Sequence, residues 1–122
     1  MNEVRENILL VKSHSFAVAI IKLYKSISKN RYELVLPKQI LRSGTSVGAL
    51  VREAQNAESK ADFVHKLGIA QKECDETIYW LELLNETGDL DDNQCTSLKR
   101  EAESLLRIIK SSILTTKKNM QK

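Results

Sequence analysis

Only one proline and four glycines interrupt the 122 residues of this chain. Those two residues turn a backbone most readily, so a fold of many short strands and tight turns is out of reach. What remains is a small number of long helices, and the plentiful Leu, Ile, Lys, Glu and Ala favour them. The length suits one ordinary domain, large enough to bury a core without disulfides or metals.

Hydrophobic periodicity divides the chain into four helices. The first covers roughly 13–30, with Ser13 or Ser15 as its cap and Phe16, Ile20, Leu23/Tyr24 and Ile27 as its stripe. Ile8 to Val11 either extend this helix or pack as an arm. The second, roughly 37–57, opens at Pro37, whose missing N–H is not needed at a helix start. Its apolar positions are Ile40/Leu41, Val47, Leu50/Val51 and Ala54. Gly44 and Gly48 each cost about 1 kcal/mol against Ala inside a helix. They stand four apart on one face, where another backbone can approach closely. They are no phosphate loop, because the G-x-x-x-x-G-K-[ST] spacing and its preceding strand are missing.

The third helix, roughly 60–87, carries a Ser59/Asp62 pair resembling a capping box and ends at Gly88 as a left-handed cap. Phe63, Leu67, Ala70, Cys74, Ile78 and Leu81 form its stripe. A second shoulder, Val64, Ile69, Trp80 and Leu83, is available to a neighbouring chain. The fourth helix, roughly 92–118, starts after Asp91 with Gln94 as its capping partner. Leu98, Ala102, Leu105, Ile109 and Ile113 give it a seven-residue pattern. Short connections between four such rods predict an all-α, antiparallel up-down-up-down four-helix bundle.

Residues that carry chemistry are few. Cys74 and Cys95 stand alone and read as free, half-buried thiols in a reducing compartment. Val4-Arg5-Glu6-Asn7 interrupts any signal-type start, and no apolar window is long enough to span a membrane, so a cytoplasmic location is expected. A di-metal bundle site needs two Glu-x-x-His pairs and two further Glu. This chain has Asp62-x-x-His65 and one other histidine, His14, so no metal or cofactor is expected. The Arg-x4–6-His arrangement of bundle-shaped ribonucleases is missing too, with Lys60 in the place of the arginine before His65. No nucleophile has a positioned base. The expectation is a protein without catalytic residues.

Charge is segmented. Residues 1–66 hold eleven basic and six acidic side chains, 67–106 hold three and ten, and 107–122 hold five and none. Either the acidic helix lies against basic helices of its own or a neighbouring subunit, or the basic strips meet a charged partner. Lys22, Lys25 and Lys29 recur at three and four on the first helix. Arg107 and Lys110, then Lys117 and Lys118, mark the last. Such strips neutralise phosphates of RNA or DNA without reading bases.

The stretch Leu41-Arg42-Ser43-Gly44-Thr45-Ser46-Val47-Gly48-Ala49, with Arg52-Glu53-Ala54, Ala57 to Phe63, Lys66-Leu67, Ala70 to Glu73 and Glu76 to Leu84, resembles the 23S rRNA-intervening sequence proteins. The similar accessory proteins of diversity-generating retroelements belong to the same group. The resemblance runs from about Phe16 to Ile109. It implies a homo-oligomer, a closed ring of five antiparallel bundles, with no catalytic activity. For the retroelement relatives it implies basic surfaces that bind nucleic acid and a reverse transcriptase. Ala49-Leu50 departs from the Ala-Asn that members often carry after the second glycine, and Leu50 either strengthens a subunit contact or fills the core.

Arg42, Glu53, Glu58, Lys66, Glu73 and Glu76 fit no apolar stripe. Opposite signs on neighbouring helices predict a structural polar cluster of Arg42, Glu53, Glu73 and Glu76, with Arg42 paired to Glu73 or Glu76. The functional expectation is an oligomer that binds nucleic acid electrostatically. The alternative is an adaptor that docks on a protein partner such as a reverse transcriptase, and neither involves a membrane.

Overall fold

The computed structural model describes residues 3–28 and 35–121, with side chains for 8–27 and 35–121. It contains α1 (Glu3–Ser28), α2 (Val35–Gln55), α3 (Lys60–Glu86) and α4 (Asp92–Met120), and no strand among the described residues. Each helix packs on the next in chain order, and α1 closes the bundle on α4 less extensively. The chain is an all-α four-helix bundle in which α1 and α3 occupy diagonal corners.

Residues 3–12 extend α1 and form no separate arm, because Leu9, seven residues before Phe16, continues the buried stripe. Ser13 is therefore not a cap. It is buried within the helix, and its Oγ donates to the Leu10 carbonyl at 3.3 Å. Opposite it lies Gly48, where an added Cβ would stand 3.2 Å from the Ser13 carbonyl oxygen. At Gly44 an added Cβ would meet both γ carbons of Ile20 at 2.8 Å. At both glycines α1 approaches α2 closely. α2 begins two residues before Pro37, which stays in the first turn where N–H groups have no acceptor within the helix. It ends at Gln55. Leu50 packs against the core.

Ser59 caps α3, its Oγ accepting from the Asp62 N–H at 3.0 Å. Asp62 reaches back to the Glu58 N–H at 3.2 Å, one residue earlier than a reciprocal capping box. At the other end Gly88 takes φ +86°, with Gly88 N–H bound to the Asn85 carbonyl and Asp89 N–H to that of Leu84. That pairing is a Schellman closure. Asp91 caps α4 by accepting from the Gln94 N–H at 2.8 Å.

Two core positions differ from expectation. Thr77, not Ile78, is fully buried on α3, its Oγ1 lying 2.7 Å from the Glu73 carbonyl and 2.8 Å from Ser43 Oγ. On α4 the seven-residue pattern continues through Ser112 and Thr116, both buried, while Ile113 sits on the shoulder. Thr116 Oγ1 donates to the Ser112 carbonyl at 2.8 Å, a local contact that lets its hydroxyl replace an aliphatic group, whereas Ser112 Oγ is buried with no hydrogen-bond partner among the described residues.

Both thiols are buried rather than half-buried. Cys74 Sγ donates to the Ala102 carbonyl at 3.2 Å, and Cys95 Sγ to that of Leu81 at 3.7 Å. Desolvation, aided by the charge of Asp75, pushes Cys74 up to about 12. A thiol held neutral in the fold stabilises it fully below its ordinary value of about 9, and that contribution is lost as pH rises towards 12. Urea melts should therefore show stability falling between these pH values, by at most about 1.4 kcal/mol per pH unit from this group. The fall should be shallower in Cys74→Ala. Equal slopes in both proteins would show that Cys74 does not contribute.

No helix of the described residues is long and apolar enough to cross a membrane. None of their His, Cys, Asp or Glu side chains gather into a metal-binding group.

Candidate functional site

The up-and-down path decides where the basic residues meet. Lys22 and Lys25 are exposed on the last turns of α1, and Lys29 lies outside the described residues. Lys22 faces Asn93, Gln94 and Ser97 at the start of α4. Arg107, Lys110, Lys117 and Lys118 are exposed on the second half of α4. Lys110 is thirteen residues beyond Ser97, about 20 Å along the helix. The two strips therefore do not converge within one chain.

The acidic groups are just as polarised. Glu82, Glu86, Asp89, Asp91 and Asp92 collect at the α3–α4 connection. Past Glu103 no acidic residue follows in the chain. Arg107, Lys110, Lys117 and Lys118 form no ion pair among the described residues. Lys117 and Lys118 also suit the negative end of the α4 dipole, a structural role that leaves their charge facing solvent.

Arg42 bridges α2 to α3. Its Nη1 lies 2.6 Å from Glu73 Oε2 and its Nη2 2.5 Å from Glu76 Oε1. Glu76 Oε1 also accepts from Trp80 Nε1 at 3.0 Å. The hydrogen bond to Glu73 is the largest cause holding the guanidinium pKa above its ordinary value. Glu53 is not part of this group. It stands eleven residues beyond Arg42, three turns along α2, and pairs with Lys66 at 3.2 Å. Arg42 remains 49% exposed, so the pair contributes little to stability despite its geometry. A double-mutant cycle with Arg42→Met and Glu73→Gln should give a coupling of about 0.5–1 kcal/mol in urea melts. A coupling near zero would make the bridge a passive contact.

Sequence patterning missed one surface. Val11 lies between buried Leu9 and Ser13, and Val18 between buried Phe16 and Ile20, so both face directly away from the core. They are 66% and 38% exposed, and Ile8 and Ile21 flank them. Apolar residues two positions from a helical stripe were the available signal. The α3 shoulder of Val64, Ile69, Trp80 and Leu83 is half-buried, and Tyr79 is the exposed ring beside it.

The model of the family described as 23S rRNA-intervening sequence protein matches residues 5–111. The chain is also similar to a crystallised protein of unknown function from the S23 ribosomal protein family of Bacteroides thetaiotaomicron. The two are 46% identical with a TM-score of 0.87, over 89% of this chain and 97% of that one. No curated protein matches the chain.

Proposed function

Since this chain belongs to the 23S rRNA-intervening sequence protein family, we propose that it is a cytoplasmic homo-oligomer, pentameric as its resemblance implies, that holds RNA or DNA by charge and performs no catalysis. The observation that carries this reading is the outer half of α4. There Arg107, Lys110, Lys117 and Lys118 are exposed, without ion-pair partners among the described residues and with no acidic residue following Glu103. Cations that are free in the fold are available to displace counterions from phosphates. Assembly would repeat the strip on every subunit, so weak contacts would add as a multivalent surface. Contacts of this kind position a backbone and do not read bases.

Light scattering with and without RNA, across a salt series, tests the reading. The expected result is an oligomer that gains mass with RNA at low salt and sheds it at high salt. An oligomer indifferent to RNA at low salt would favour the second reading, a protein-binding adaptor. A monomer would end both the assembly and the multivalent surface.

A further inference from the structure

We infer that the outer face of α1 docks on the outer face of α3 in a second copy of this chain, head to tail; the inference rests on the homo-oligomer reading and names its contact. Val11 and Val18 face away from the core, and β-branched residues gain nothing in helix propensity on a solvated face. Their stripe, from Ile8 to Ile21, is about 20 Å long at the rise of a helix. The outer face of α3 carries a stripe of similar length, from half-buried Ile69 to Tyr79, 54% exposed, and half-buried Leu83.

Charge selects the pairing. Residues 8–27 of α1 hold Lys12, Lys22 and Lys25 and no carboxylate. Over the length of its stripe, residues 69–86, α3 holds five carboxylates against one cation, Lys72. Glu73 and Glu76 are occupied by Arg42, and Glu82 is 2.9 Å from Lys99. Asp75 and Glu86 are exposed without an ion-pair partner among the described residues. A two-fold contact of α1 on α1 would leave its lysines facing no carboxylate, since the described side chains of that helix have none.

Height selects the direction. Lys22 and Ser26 face Gln94 and Ser97 of α4, and Cys95 of α4 reaches the Leu81 carbonyl of α3. Lys22 and Lys25 therefore stand within about one turn of the level of Tyr79 and Glu82. At the other end Lys12 Nζ donates to Ser104 Oγ at 3.2 Å, two residues past Ala102, whose carbonyl accepts from Cys74. That places Lys12 near the level of Lys72. α1 and α3 run in the same direction on diagonal corners, so their outer faces point opposite ways. A neighbour turned about an axis parallel to the bundle brings the two faces together with Val18 near Tyr79 and the lysines near Glu82 and Glu86. Two different faces on one chain make a heterologous contact, which runs on as an open row unless each neighbour is also turned about that axis, by about 72° for a ring of five. Lys22 and Lys25 then serve the subunit contact, and α4 is left to meet phosphate.

The test uses two variants of the full chain. One breaks the α1 face (Val11→Asp with Val18→Asp) and the other the α3 face (Tyr79→Lys with Glu86→Lys). Far-UV circular dichroism checks that each keeps the wild-type helix content, as solvent-face changes should. Light scattering should give wild-type oligomer, monomer for each variant alone, and a dimer and nothing larger for their mixture, because each supplies the one intact face the other lacks. In a single chain, Lys22→Glu with Lys25→Glu should weaken assembly, and adding Glu82→Lys with Glu86→Lys should restore it. Wild-type mass for the Val11/Val18 variant, or no dimer in the mixture, would overturn the assigned faces while leaving the oligomer reading intact. A monomeric wild type would overturn both.

Discussion

Replacing Gly44 with valine should lower the unfolding free energy by about 3 kcal/mol. The first atom added, Cβ, would stand 2.8 Å from two carbons of Ile20 and 3.1 Å from its Cβ. That last carbon is fixed by the α1 backbone and cannot swing aside. Ile20 is fully buried in a helix whose core face also carries Phe16 and Leu23. Relief therefore requires α1 and α2 to separate, which loosens every contact along their length. Alanine at position 44 should cost less, about 1–2 kcal/mol, because the gain of about 1 kcal/mol in helix propensity offsets part of the overlap. The double variant Gly44→Ala with Ile20→Ala should be more stable than the sum of its single losses by about 1 kcal/mol or more, since each change makes room for the other. Urea melts followed by circular dichroism read these differences. Additive losses would mean that the close approach at Gly44 does not limit the packing.

The second large effect concerns binding. Changing Arg107, Lys110, Lys117 and Lys118 together to glutamine should weaken RNA affinity by about a hundredfold or more near 0.1 M salt. These residues are exposed and form no ion pair among the described residues, so oligomer mass and helix content should not change. The dependence of log affinity on log salt should flatten by about 0.7–0.9 for each cation that meets a phosphate. Fluorescence anisotropy with a labelled RNA measures both quantities. If the variant binds as wild type does, the α4 strip is only a solvated helix face, and the adaptor reading gains.

Features set by local chemistry were legible before the fold. Ser59, Asp91 and Gly88 mark helix ends through backbone groups within a few residues, and all three take those roles, although Asp62 reaches back to Glu58 rather than Ser59 and Gln94 contributes its backbone N–H. The Gly44/Gly48 spacing pointed to a close helix approach, and the Arg42 pairing to a bridge between helices. Errors arose where a residue's role depends on a distant partner. Ser13 looked like a cap because serine caps helices, but its place is set by Gly48 on α2. Ser112 and Thr116 take core positions that polarity disguised, and Ile113 looked the better fit. Charge sign groups Glu53 with Arg42, although its place eleven positions further along α2 carries it to Lys66. The lysine strips could be counted in the sequence, but their separation follows from the antiparallel course of α1 and α4, which no one-helix pattern contains.

The most direct test of electrostatic nucleic-acid binding is the equilibrium affinity of the wild-type assembly for an RNA duplex and a DNA duplex of equal length, measured between about 50 and about 200 mM salt. Binding through phosphates predicts a straight fall of log affinity with log salt, with a slope of several units and little preference between the two duplexes. Affinity that is absent at the lowest salt, or that hardly changes across the range, would contradict it.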